Sequence, residues 1–290
     1  MVRSLVSLCA LFLAACSLPS SAAAMPPVWI VRDADSEIVI FGSMHILPPG
    51  VDWRPDALDA ALAKADDLWF ELPMDAASQA QVGQAAMARG YLPAGQTLTG
   101  LLGPADGARL RKTAEDLGLP MAVLQYLQPW LAEVSLANAM FMQSSASRAE
   151  GVETVIERTA PASAARRAFE TPEQQIAILA DTPQEAQVAS LRQTLDELAE
   201  GPGAYDELVQ AWAAGDIRTL ETEALDPIRE ASPVLYRRLI VDRNTRWIET
   251  IKARMAGSGE TVIVVGAGHL VGRDGLPARL RALGFKVEGP

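Results

Sequence analysis

Apolar residues follow two rhythms along this chain. Near both ends they form short runs rich in valine and isoleucine, bounded by polar or glycine-containing breaks; between them they recur every three or four positions. Val28–Val31 and Glu37–Phe41, separated by the polar stretch 32–36, predict a β-hairpin. Leu58, Ala61, Leu62 and Ala65 predict a helix over 56–65, and Leu68–Leu72 predicts a further strand. Residues 74–255 carry almost no strand signal. Within them, Thr171-Pro172 and Thr182-Pro183 each place a capping threonine before a first-turn proline, marking two helix starts. Val188, Leu191, Leu195 and Leu198 lie at helical spacing, and Gly201-Pro202-Gly203 breaks the chain before a helix over 205–214. Leu235, Leu239, Trp247, Ile248, Ile251 and Met255 predict one long helix ending near Gly257. Thr261–Val265 then reads as a buried strand, Pro277–Leu283 as a helix and Phe285–Glu288 as a last strand. The linkers are weakly marked. The pattern therefore predicts one α/β domain over 25–290, its central sheet built from both chain ends, with a large helical insertion over about 74–255.

The two ends look like copies of one unit. Ile38-Val39-Ile40-Phe41-Gly42-Ser43-Met44-His45-Ile46 aligns with Val262-Ile263-Val264-Val265-Gly266-Ala267-Gly268-His269-Leu270: an apolar strand, Gly-x-x-His, then an aliphatic residue. Each continues through a glycine-containing loop, Gly50-Val51 or Gly275-Leu276, into a short helix and another strand. Glycine after the strand permits a sharp or positive-φ turn that projects the imidazole over the sheet edge. Ligands of open α/β sheets bind at the carboxyl ends of the strands. If the two units form adjacent strands, His45 and His269 converge on one cleft, and Glu71, ending the next strand, reaches the same edge. Two neutral imidazoles and a carboxylate suit a divalent metal (Mn, Co or Zn), with Glu71 as ligand or general base. Open coordination positions would lower the pKa of a bound water and polarise a carbonyl. Taken singly, either histidine reads as a hydrogen-bonded structural residue; the matched contexts favour a shared site. Trp29, Trp53 and Trp69 read as packing residues. Gly266-Ala267-Gly268-His269 lacks the lysine and third glycine of a phosphate loop.

Composition narrows the chemistry further. The chain has 290 residues, with 36 acidic and 25 basic side chains and a net charge of −11, which argues against a nucleic-acid partner. There are only two histidines, so imidazole chemistry must use His45, His269 or both. Both cysteines, Cys9 and Cys16, precede residue 25; the remainder has no thiol for a nucleophile, a metal site or a disulfide. Residues 1–24 combine Arg3, an apolar run from Leu5 to Ala15 and no acidic residue, which predicts an export signal. Leu13-Ala14-Ala15-Cys16 suits lipidation at Cys16, with Ser17 pointing to the outer membrane, whereas Ala22-Ala23-Ala24 suits an ordinary signal peptidase. Either route places the body in the periplasm, touching a membrane only through a lipid anchor. No later apolar run approaches ~20 residues, and no oligomer interface is marked.

A set of ordered motifs resembles the TraB/GumN family, also called TIKI/TraB/PrgY. They are Phe41-Gly42-Ser43-Met44-His45, Trp69-Phe70-Glu71-Leu72, Gln128-Pro129-Trp130, Gly151-Val152-Glu153, Phe169-Glu170-Thr171 with Gln175, Arg243-Asn244 with Trp247, and Val265 through Gly272. The resemblance runs from about Pro27 to Glu288, with Phe169 where members commonly have leucine. It implies a fold comparable with erythromycin esterase and the ChaN-type haem-binding lipoproteins. It also implies the metal-dependent proteolysis ascribed to TIKI members. Residue by residue, it implies His45 and His269 as the motif histidines, Glu71 as their acidic partner, and Arg243 and Asn244 as cleft residues contacting substrate. Glu153 and Glu170 match family positions without an assigned role. The leading expectation is an exported metal-dependent hydrolase acting on a peptide or protein. A metal-independent esterase and a non-catalytic haem- or metal-binding lipoprotein stay open beside it.

Overall fold

The structure is a computed structural model, and it describes residues 25–290 apart from Pro202; the expected export segment, with Cys9 and Cys16, lies outside the described residues. Six strands form one mixed sheet: β1 (Val28–Arg32), β2 (Ser36–Ser43), β3 (Asp67–Phe70), β4 (Ala165–Ala168), β5 (Gly259–Gly266) and β6 (Val287–Glu288), in the order β4-β3-β5-β2-β1-β6. The predicted hairpin is β1–β2, antiparallel with Ile30 opposite Val39. The chain's two ends meet in the middle of the sheet, where β2 and β5 run parallel and Gly42 lies opposite Val265. β5 also pairs in parallel with β3, so it is covered by strands on both sides. Among the described residues, no helix is long and apolar enough to cross a membrane.

Both faces of the sheet are buried, which explains the nearly continuous apolar runs of β2 and β5. Val39, Phe41, Leu68, Phe70, Val262 and Val264 face one cluster with Leu58, Leu62 and Trp212. Trp29, Ile38, Ile40, Ile263 and Val265 face another, formed with Trp247, Ile248, Ile251 and Leu280. The expected packing role of the tryptophans holds: Trp29 and Trp53 are buried, and Trp69 packs its ring 5.1 Å from Phe169. A third cluster lies among helices away from the sheet, around Leu98, Leu110, Leu136, Leu191 and Leu195.

Two expectations need correction and a third needs refining. β4 lies within the region expected to be helical. Its sequence, Ala-Arg-Arg-Ala, is polar because it is an edge strand; Arg167 pairs with Asp67 at 2.5 Å, and such charges block pairing with another chain. Thr182 does not cap the helix Gln184–Glu200; its hydroxyl donates to Ile178 O at 2.7 Å and closes the preceding helix instead. The long helix after Leu235 runs unbroken to Met255 as expected but is not α throughout: Pro233–Tyr236 and Asp242–Met255 are joined by a π-helical segment, Arg237–Val241. A π segment inserts one residue per turn and shifts the helix face that follows, a device concentrated at functional sites. Here the residue that benefits is Arg243.

Thr171-Pro172 does start a helix, Pro172–Ala180, and completes a capping box: Gln174 N–H donates to the Thr171 hydroxyl at 3.3 Å, and Thr171 N–H donates to Gln174 Oε1 at 2.9 Å. Thr171→Ala is expected to lower the unfolding free energy by about 1 kcal/mol, read as a lower denaturant midpoint at unchanged slope.

Candidate active site

The two Gly-x-x-His segments leave neighbouring parallel strands, but neither glycine adopts a positive φ. Their role is close approach. A Cβ on Gly42 would lie 3.1 Å from Ala267 Cα, so the two loops pack against each other where glycine leaves room. Beyond β5 the chain tightens into a 3-10 turn, Ala267–His269, which folds His269 inward to 4% exposure. Beyond β2 the chain instead bridges Leu47 to Ser147, and the His45 side chain stays 58% exposed. One motif thus delivers two histidines to different environments.

Glu71 and Glu170 follow β3 and β4 side by side, because Glu170 N–H donates to Glu71 O at 2.9 Å and extends the ladder by one residue. Two carboxylates on adjacent strand ends repel unless a cation joins them. Arg243 is that cation. It is 5% exposed, in the first turn of Asp242–Met255, on the apolar face with Trp247, Ile248 and Ile251. Its Nη2 donates to Glu71 Oε2 at 2.5 Å and to Glu170 Oε2 at 2.9 Å, and its Nε donates to Glu170 Oε1 at 2.9 Å. Its Nη1 donates to His269 Nε2 at 2.9 Å, and the guanidinium lies 4.6 Å from the centroid of the Trp247 ring.

These bonds determine the His269 tautomer. Arginine only donates, so Nε2 accepts and the ring proton sits on Nδ1, which donates to Asn244 Oδ1 at 2.7 Å. Asn244 is locked in turn by donating from Nδ2 to His269 O and Asp274 O at 3.1 and 2.8 Å. Burial, reinforced by Arg243, lowers the His269 pKa to about 3, so the ring is neutral. Burial alone would raise the Glu71 pKa, but Arg243, the charged His45 and the Gly266 N–H outweigh it and hold the carboxyl below the usual range.

His45 has a different partner. Gly151 passes so close to the His45 carbonyl that no side chain fits, and Val152 N–H donates to Met44 O at 3.1 Å. This docking brings buried Glu153 beneath the strand end. Its Oε1 accepts from His45 Nδ1 and from the Ser43 hydroxyl, each at 2.5 Å. Glu153 raises the His45 pKa to about 9 against the opposing effect of burial, and the ring's open face lets water screen part of that field. The Gly151-Val152-Glu153 motif was visible in the sequence, but its role was not: only the tertiary contact puts Glu153 under His45.

His45 Nε2 and Glu71 Oε1 converge. A Cβ placed on Gly266 would lie 3.2 Å from Glu71 Oε1 and 3.5 Å from His45 Nε2, so both atoms reach one point beside that glycine. The point borders a cavity of about 280 Å³ lined by Ser43, His45, Phe141, Tyr205 and Gly266. Of the residues expected at the site, His45 lines this space, and buried Glu71 approaches it only through Oε1 beside Gly266. His269, Arg243 and Asn244 lie behind it, buried and mutually bonded.

The expected metal donors do not present three open lone pairs here. His269 Nε2, 3.8 Å from Glu71 Oε1, is engaged by Arg243, and its Nδ1 carries the proton. Among the described residues, no group of three or more His, Cys, Asp or Glu side chains is arranged to hold a metal ion. The donor set as it stands does not fit a three-ligand centre; it fits an acid–base pair backed by a fixed cation.

No curated protein and no solved structure matches this chain. A family model does, over residues 27–289, and that span contains both histidine motifs, Glu71, Glu153, Glu170 and Arg243. The chain belongs to the TraB/PrgY/gumN family.

Proposed function

We propose that this protein is an exported hydrolase of an ester or amide carbonyl, working through Glu71 as base and His45 as acid. The carrying observation is that Glu71 Oε1 and His45 Nε2 converge over the same face of Gly266, 3.2 Å and 3.5 Å from where a Cβ on that glycine would stand. A water held between these two atoms transfers a proton to Glu71 Oε1 as its oxygen adds to the carbonyl carbon. The His45 imidazolium then protonates the departing oxygen or nitrogen as its bond to that carbon breaks. The proton on Glu71 returns through solvent to His45. Arg243 keeps Glu71 ionised; Glu153 keeps His45 charged and orients its ring. Neighbouring titratable groups driven apart in pKa are the usual mark of such a division of labour. The comparison with erythromycin esterase belongs to this reading and rests on the family resemblance alone. Export rests on the composition of residues 1–24.

One observation favours a second, metal-dependent version, in which the amide is the expected peptide bond. A carboxylate bound to the far nitrogen of a metal-binding histidine is a common arrangement, and Glu153–His45 has it. That version needs Arg243 to release His269 Nε2.

Three measurements decide between these readings. Gly266 has φ −50° and ψ 136°, which alanine adopts freely, so Gly266→Ala should keep the backbone while its methyl, 3.2 Å from Glu71 Oε1 and 3.5 Å from His45 Nε2, crowds the gap between them and displaces the water. The expected loss in kcat/KM on p-nitrophenyl acetate is about 100-fold, and unchanged turnover would remove the proposed site. With His45 as the acid, kcat/KM should fall as pH rises through about 9. Glu153→Gln should move that fall to lower pH; a rate that instead climbs with pH through this range speaks for a deprotonated, metal-binding His45. Exhaustive dialysis against a chelator should leave activity unchanged. Loss that Mn²⁺, Co²⁺ or Zn²⁺ restores would establish the metal version.

A further inference from the structure

A second, larger cavity of about 890 Å³ adjoins the catalytic one, and the two share Phe141 and Tyr205 in their walls. These rings pack edge to face with centroids 4.6 Å apart, and the Tyr205 hydroxyl donates to Ile46 O at 2.5 Å, which ties the partition to the His45 loop. Beyond the partition the walls carry an apolar patch, Leu117, Met140, Leu195 and Leu198, beside polar groups; the patch comes from the end of the helix Pro104–Asp116 and from the helices Pro129–Gln143 and Gln184–Glu200. The volume lies within the range that small-molecule sites occupy.

Most polar side chains in its walls are already engaged, leaving Thr113, Ser145 and Asp206 as the remaining polar lining. Arg109 pairs with Asp106 at 3.1 Å and also with Asp196, and Lys112 bonds Asp116 Oδ2 at 2.6 Å. Gln143 donates to Asp116 O at 3.1 Å, and the Ser144 hydroxyl donates to Phe141 O at 2.9 Å. A peptide filling this space would need a partner for every backbone N–H and C=O, more than Thr113, Ser145 and Asp206 supply. A hydrocarbon chain brings none.

We propose that this cavity holds the acyl chain of the substrate, with the scissile carbonyl near Gly266, within reach of Glu71 and His45, and the chain passing Phe141 and Tyr205. The substrate class is then a long-chain acyl ester or amide. This assignment rests on the hydrolase reading for its chemistry, but the cavity's occupancy is measurable without turnover.

The test uses dansyl-labelled undecanoic acid as a fluorescent probe and palmitate as competitor. The full mature protein should enhance dansyl emission, and palmitate should reverse it. Ala108→Trp and Ala199→Trp, both at solvent-exposed positions lining the cavity, should each weaken probe binding by at least about tenfold. They should also abolish the preference for p-nitrophenyl decanoate over the acetate while sparing acetate turnover. Probe binding that both tryptophan variants leave unchanged places the acid elsewhere and overturns the proposal. So does displacement by apolar peptides but not by palmitate. Equal kcat/KM on acetate and decanoate with no dansyl signal removes the acyl cavity and leaves the hydrolase standing. Palmitate-reversible binding without cleavage of any ester or amide keeps the cavity and removes the hydrolase.

Discussion

The buried guanidinium of Arg243 is the contact around which the sheet's functional edge is organised. Parallel pairing of β3 and β4 forces Glu71 and Glu170 together at one end, and β5 brings His269 beside them. Without a cation, two carboxylates would face each other in a buried setting. Arg243 answers both and spends a third direction on the imidazole. Removing one member of such a buried ion pair costs on the order of 3–5 kcal/mol, because the charges left behind cannot return to water. Trp247 closes the arrangement: its ring stacks under the guanidinium, and its Nε1 donates to Glu170 Oε1 at 3.2 Å.

That interaction also separates the fates of two histidines with nearly identical sequence contexts. His269 next to a fixed cation and away from water is neutral, and its tautomer follows from hydrogen-bond donors and acceptors alone. His45 next to a fixed anion is driven toward its charged form. The environments are set not by the Gly-x-x-His motif but by what docks on each copy: the helix beginning at Asp242 on one, the turn at Gly151 on the other. A repeated unit has been turned into complementary chemistry by unlike neighbours.

Much of this was legible in the sequence because strands and their glycines are local features. The hairpin, the parallel strands and the arrival of His45, Glu71 and His269 at one edge of the sheet all follow from apolar runs and one matched motif. What escaped was non-local. β4 carries no apolar signature, since an edge strand next to solvent is better served by Arg166 and Arg167. Glu153 lies more than a hundred residues from His45, and nothing near it in the sequence names its partner. The direct engagement of His269 by Arg243 depends on the helix phase set by a π segment that hydrophobic spacing does not encode. The motif glycines were legible as positions but not as causes: instead of a left-handed turn, Gly42 admits the neighbouring loop's backbone and Gly266 the side chains of Glu71 and His45.

The sheet order carries a consequence for biosynthesis. β5 lies between β2 and β3, so until residues 259–266 have been synthesised the N-terminal strands are two unconnected ribbons, β1–β2 and β3–β4. The helical cluster around Leu110, Leu136 and Leu191 has its partners in earlier sequence and can pack first. The central strand arrives almost last and must pair with segments synthesised long before, a slow, high-contact-order step. Nascent or C-terminally clipped chains therefore hold His45, Glu71 and Arg243 but not the strand that brings them together. The site residues stay unassembled until the chain is nearly complete.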